Sequence, residues 1–170
     1  MEALQMTTSK FFPYPLAGRF EDHGRRLVLT RRFVYKDDDL GIKIVVPKDF
    51  ETDFNSSPRG TWNTFPPWEF PEAGVVHDYI YRHPSGAYGR NKEPKNLSRG
   101  ECDNLHRRVM HLLGAPWWKR QAMWAALRAG GWKPWKAYRA AELSPPPPVP
   151  AVESALPTPP KVIPLPDEVK

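Results

Sequence analysis

The chain has one cysteine, Cys102, in 170 residues, which excludes an intrachain disulfide framework and any zinc site of the two-cysteine knuckle type. A reducing compartment is therefore allowed. It also lacks an apolar run of the ~18 residues that a helical membrane span needs, and its first residues do not show the charged-then-apolar order of a secretory signal. The expectation is a soluble chain with no transmembrane segment, which begins in the cytoplasm of the cell that makes it. Acidic residues are the minority, with 19 Asp and Glu against 25 Lys and Arg. The formal charge of +6 suggests an anionic surface as partner, whether lipid, cell wall, nucleic acid or an acidic protein face; solubility alone is the plainer account.

What the chain has in excess is proline. Of its 21 prolines, ten fall in the last segment, SPPPPVPAVESALPTPPKVIPLPDEVK, beginning at Ser144. That segment has neither helical nor strand period, and proline supplies no N–H to a ladder, so residues 144–170 read as an extended proline-rich arm or tether. Residues 1–143, with 40% of the whole chain hydrophobic to draw on, read as a single globular domain.

The domain reads as α+β: a small N-terminal antiparallel sheet followed by a three- or four-helix region. Two β-branched and aromatic runs, Leu27 to Tyr35 and Ile42 to Val46, flank the turn-forming DDDLG and predict a hairpin. The stretch PKDFETDFNSSPRGTWNTFPPWEF predicts a long loop held down by Phe54, Trp62, Phe65 and Trp68. A first helix is expected over about Glu72 to Tyr81, with Ala73, Val76, His77 and Ile80 on its buried side, and Pro84 and Gly86 ending it. Ser98 with Glu101 is a capping box that opens a second helix carrying Cys102, Leu105, Val109 and Leu113, which Gly114 stops. A third helix follows Pro116 and runs to Gly130 and Gly131, and a fourth covers Lys133 to Leu143.

Two ionisable residues, His77 and Asp78, interrupt the apolar run VVHDYIYR. On a helix His77 and Tyr81 share a face one turn apart, while Asp78 points aside. An imidazole poised as a base needs an acceptor on its other nitrogen, and Asp103, one turn into the second helix, is placed to be that acceptor. Asp78 would then be left to reach a cation, with Asp53 of ETDF as a weaker candidate ligand or, more simply, a turn cap. His77 is equally readable as a satisfied core histidine. Arg59 could bind an anion or hold loop carbonyls. His83, His106 and His111 are expected at the surface. Trp117, Trp118, Trp124, Trp132 and Trp135 read as core and rim, although an exposed subset among Lys119, Arg120 and Arg128 would suit nucleic acid or a partner protein.

The HDYIY stretch followed by an aspartate on the next helix resembles the HDxxY…D core of the secreted and viral phospholipases of type A-two. That resemblance implies His77 as the base, Asp78 as a ligand of calcium or another divalent cation, and Tyr81 and Asp103 as the pair supporting His77. It spans two helices only, and no glycine-rich calcium loop precedes His77. A second resemblance covers about Val46 to Trp132: VPKDFETDFNSSPRG, AGVVHDYIYR and SRGECDNLHRRVM are similar to the VPxGFxTDxxSxPR, HDxLY and ADxxF pattern of a domain-of-unknown-function family of small phage and prophage proteins. It implies phage origin. Two functions are thereby expected: a virion-associated hydrolase acting on an envelope or cell-wall barrier, or a non-catalytic particle component docking on other phage structural proteins through its proline-rich arm.

Overall fold

A computed structural model describes residues 10–22, 26–53, 63–64, 66 and 68–143. The arm at 144–170 and Phe54, Arg59, Trp62 and Phe65 lie outside the described residues. The domain is α+β, with antiparallel sheets leading into four helices. Strands β1 (Gly18–Glu21), β2 (Arg26–Leu29) and β5 (Glu51–Thr52) form one sheet in the order β1-β2-β5. Strands β3 (Phe33–Asp37), β4 (Ile42–Val46), β6 (Ala87–Tyr88) and β7 (Pro94–Lys95) form a second, in the order β3-β4-β6-β7. The expected hairpin is β3–β4, with Phe33 opposite Val46 and Asp37 opposite Ile42.

The run expected as one strand, Leu27 to Tyr35, is two. It breaks at Thr30–Arg32, because β2 pairs with β1 and β5 while β3 pairs with β4. Backbone bonds from Thr30 to Ala17 and from Asp49 to Leu29 hold the chain at the crossing.

Helix α1 (Pro71–Arg82) is the centre of the molecule. Proline at its first position suits a helix start, where the N–H has no intrahelical acceptor. Glu72 through His77 are all buried, with Ile80 and Tyr81 one turn on. Full burial of a side chain such as Ile80 stabilises by about 1.5–3 kcal/mol. Helix α2 (Arg99–Leu112) starts at the predicted box: the Glu101 amide donates to Ser98 Oγ and the Ser98 amide to Glu101 Oε2. It ends where Gly114 takes a positive φ of 82°, a conformation that costs glycine little. Cys102, Asp103, Leu105, His106, Val109 and Met110 form its buried stripe.

Helix α2 is tied to the second sheet by Arg108, whose guanidinium grips the buried Asp37 carboxylate through Nε and Nη2. Helices α3 (Trp117–Gly130) and α4 (Trp132–Leu143) complete the domain.

Two expectations are corrected here. The tryptophans are more rim than core: Trp135 packs partly buried against the core, but Trp117, Trp118 and Trp132 are 67%, 51% and 47% exposed, Trp68 is exposed as well, and α3 has no fully buried residue. Helix α3 lies outermost, so no further described element covers its far side. His106 is not at the surface; it is completely buried, because it falls on the same stripe as Cys102 and Val109.

Candidate functional site

The site is built where α1 crosses α2. His77 and Tyr81 project from one face of α1, and Asp103 meets them from the first turns of α2. Asp103 Oδ1 accepts the Tyr81 hydroxyl at 2.6 Å and lies 3.2 Å from His77 Nε2. Its Oδ2 accepts Arg128 Nη1 from α3 at 2.9 Å, with Arg99 Nη1 at 3.9 Å. A carboxylate so placed only accepts, so Nε2 carries a proton and the lone pair of a neutral His77 resides on Nδ1. Gly131 lets the α3–α4 junction close over Tyr81: a Cβ there would come within 2.6 Å of the tyrosine hydroxyl.

The other edge of the imidazole faces Asp78. Their closest atoms, Nδ1 and Oδ1, are 3.8 Å apart, within electrostatic range but beyond a hydrogen bond. Asp78, expected to be left to reach a cation, is already engaged on one side: its Oδ2 accepts the hydroxyl of Thr52 on β5. Asp53 follows Thr52 in the chain, near enough for its charge to act on Asp78. Beneath the pair, the His106 ring packs edge-on against that of His77, with centroids 5.2 Å apart. Neither nitrogen of His106 has a hydrogen-bond partner among the described residues.

Burial works against charge on His77, yet the carboxylates of Asp103 and Asp78 outweigh it and hold the imidazole above its ordinary value. For Asp103 burial pulls upward, but the bonds from His77, Tyr81 and Arg128 leave it below the usual carboxylate range. Burial lifts Asp78 above that range, His77 and Thr52 opposing. Tyr81 is raised by burial and by the adjacent Asp103, so its phenol stays neutral. His106 is pushed down to about 3, first by burial and then by the neighbouring His77. The result is a polarised imidazole between two carboxylates with a neutral imidazole beneath.

Of the residues expected at a site, His77, Tyr81, Asp103 and Asp78 are brought together. Asp53 sits at the exposed edge, and Arg59 lies outside the described residues. Helical spacing placed the first three; Thr52, Arg128 and His106 went unrecognised. Thr52 had no local signal beyond its place beside Asp53, and Arg128 had none. Among the described residues no three His, Cys, Asp or Glu side chains converge to hold a metal ion. The donor set around Asp78 is one carboxylate already engaged by a hydroxyl, with Asp53 near it, which does not amount to the six or more oxygens calcium takes.

A family model described as Protein of unknown function (DUF1353) matches residues 27–127, more than half of the chain. The chain belongs to this family. No curated protein and no solved structure matches it. The family match contains Thr52, His77, Asp78, Tyr81, Asp103 and His106, and stops one residue short of Arg128. The polarised pair therefore lies within the part of the chain that defines the family, whereas its third-helix clamp lies just beyond.

Proposed function

We propose that this member of the family is a phage-encoded, virion-associated hydrolase of acyl esters in an envelope or cell-wall barrier, with His77 as its general base. The observation that carries the reading is the bond between Asp103 and His77 Nε2. It fixes the tautomer that leaves a lone pair on Nδ1. In this reading Nδ1 takes a proton from water as the water oxygen bonds to the acyl carbon, then returns it to the departing alcohol oxygen. Asp103 stabilises the imidazolium formed between the two steps, and Tyr81 and Arg128 hold Asp103 in place. Because His77 is held above its ordinary value, the base form gains with rising pH, so turnover should climb on the alkaline side of neutrality. No step is routed through a metal. The phage setting is supported by the resemblance of the sequence to phage and prophage proteins.

Burial favours a second reading. His77 is 5% exposed and Asp103 is not exposed at all, as befits a polar network that fixes helix packing in a non-catalytic particle component whose proline-rich arm docks on neighbouring proteins. Hydrolysis of a fluorogenic phospholipid ester by the full chain and by His77→Asn separates the two. The hydrolytic reading expects active parent protein and a loss of at least ~10²-fold in turnover for the variant, whatever the change in its melting temperature. The same absence of activity in both proteins, with a lowered melting temperature for the variant, would leave only the structural one.

A further inference from the structure

Helices α3 and α4 follow one another across a single residue, Gly131, which keeps a right-handed helical conformation; its amide donates to Leu127 and its carbonyl accepts from Trp135. Exposed positions recur along them at steps of three and four: Trp118, Ala122, Ala125, Ala129 and Trp132. On a helix that period is one stripe, so the outer side is an apolar ridge of about 20 Å at 1.5 Å per residue, with a tryptophan at each end. Beside its far end stand the exposed Lys133 and Lys136, with ammonium groups 5.6 and 5.3 Å from the centroid of the Trp132 ring. From residue 117 to 143 the sequence has six Lys and Arg against a single acid, Glu142. Lys119 is compensated by Glu69 and Arg128 by Asp103, whereas no carboxylate forms an ion pair with Lys133 or Lys136 among the described residues.

We infer that this ridge is a docking surface for an anionic lipid bilayer. Indole rings favour the headgroup level, alanines enter without desolvating polar groups, and lysines beside the ridge meet lipid phosphates. Nucleic acid fits less well, since the middle of the ridge offers no donor to a phosphate backbone. A second copy would bring the same cationic end with no acid to answer it. Helix α3 also carries Arg128 inward to Asp103, so the surface and the His77 site share one element. The inference deepens the hydrolytic reading by placing its substrate in a bilayer, and rests on that reading for the link to catalysis only.

Co-sedimentation of the full chain with vesicles of mixed phosphatidylglycerol and phosphatidylcholine, against phosphatidylcholine alone, tests it. Binding should require the anionic lipid, weaken with salt, and shift tryptophan emission to the blue. Lys133→Ala and Lys136→Ala should each weaken it about fivefold, and the pair Trp118→Ala with Trp132→Ala at least tenfold without loss of the folded state by circular dichroism. Equal binding to both vesicle types, unchanged binding by the tryptophan pair, tighter binding to duplex DNA, or a ridge-dependent dimer that ignores vesicles would each overturn it. Vesicle binding without ester hydrolysis would remove the hydrolytic reading and leave the surface standing; turnover of a soluble short-chain ester without vesicle binding would do the reverse.

Discussion

Replacing Asp103 by Asn keeps the shape of the side chain while removing the charge on which three elements converge. The amide offers one acceptor oxygen where the carboxylate has two, so either Arg128 or the His77–Tyr81 pair is left facing an N–H. Arg128 is 37% exposed and can turn to water, which limits its share to under about 1 kcal/mol. His77 cannot, and a buried hydrogen bond to a charged partner is worth about 1.5–3 kcal/mol. The total is about 3 kcal/mol near pH 6, or roughly 10 °C in melting temperature for a domain of this size. The pH dependence gives the reasoning its edge. Asp103 helps raise His77 above its ordinary value in the folded state, so the stability His77 contributes is fully present below its unfolded value of 6.5 and is lost as pH rises through the folded one. The penalty of Asp103→Asn should therefore shrink between pH 6 and pH 9. Urea titrations of both proteins at the two pH values measure it. A penalty below about 1 kcal/mol at pH 6, or one that does not change with pH, would refute the account of His77 as an imidazolium held by Asp103.

His106→Leu should stabilise by about 1–2 kcal/mol at neutral pH, since it removes two buried nitrogens without partners at similar volume. The folded value of His106 is depressed to about 3, so stability is lost as pH falls from 6.5 toward 3; at pH 4.5 the loss is about 3 kcal/mol, at roughly 1.4 kcal/mol per unit below 6.5. The difference between variant and parent cancels the opposite trend from Asp78 and Glu72, which burial raises. A variant as acid-sensitive as the parent in urea titrations would contradict this. A chain ending at Leu143 should melt within about 2 °C of the full chain by calorimetry, because residues 144–170 have no apolar period from which to build a core contact; a larger fall would show that the arm belongs to the domain.

Local period is what made part of the site legible. His77 and Tyr81 differ by one helical turn, and Ser98 with Glu101 fixes where α2 begins, so Asp103 follows at a known place on it. The same rule also pointed to His106: it lies four residues after Cys102 and three before Val109, and reading it as polar overrode a stripe that was correct. The break at Thr30–Arg32 was hidden because Leu27 to Tyr35 is uniformly strand-like, and only the competing partners β5 and β4 divide it. Arg128 could not be found at all, since its role depends on how α3 lies across α2.

That placement of α3 is itself held in an unusual way. With no fully buried side chain of its own, the helix packs Met123 against the core and adds polar links: Lys119 to Glu69 at 2.6 Å, Gln121 to Arg107 at 3.2 Å, Trp124 to Asn104 at 3.0 Å and Arg128 to Asp103 at 2.9 Å. Three of those partners are exposed or nearly so, and exposed links contribute little each. The fourth is the buried carboxylate that also orients His77. The group that fixes the tautomer of the base is therefore also a buried anchor of α3, so a shift of Arg128 acts on the carboxylate that orients the imidazole. A helix with no fully buried side chain has few apolar contacts to lose, which places α3 toward the low-stability end of the domain.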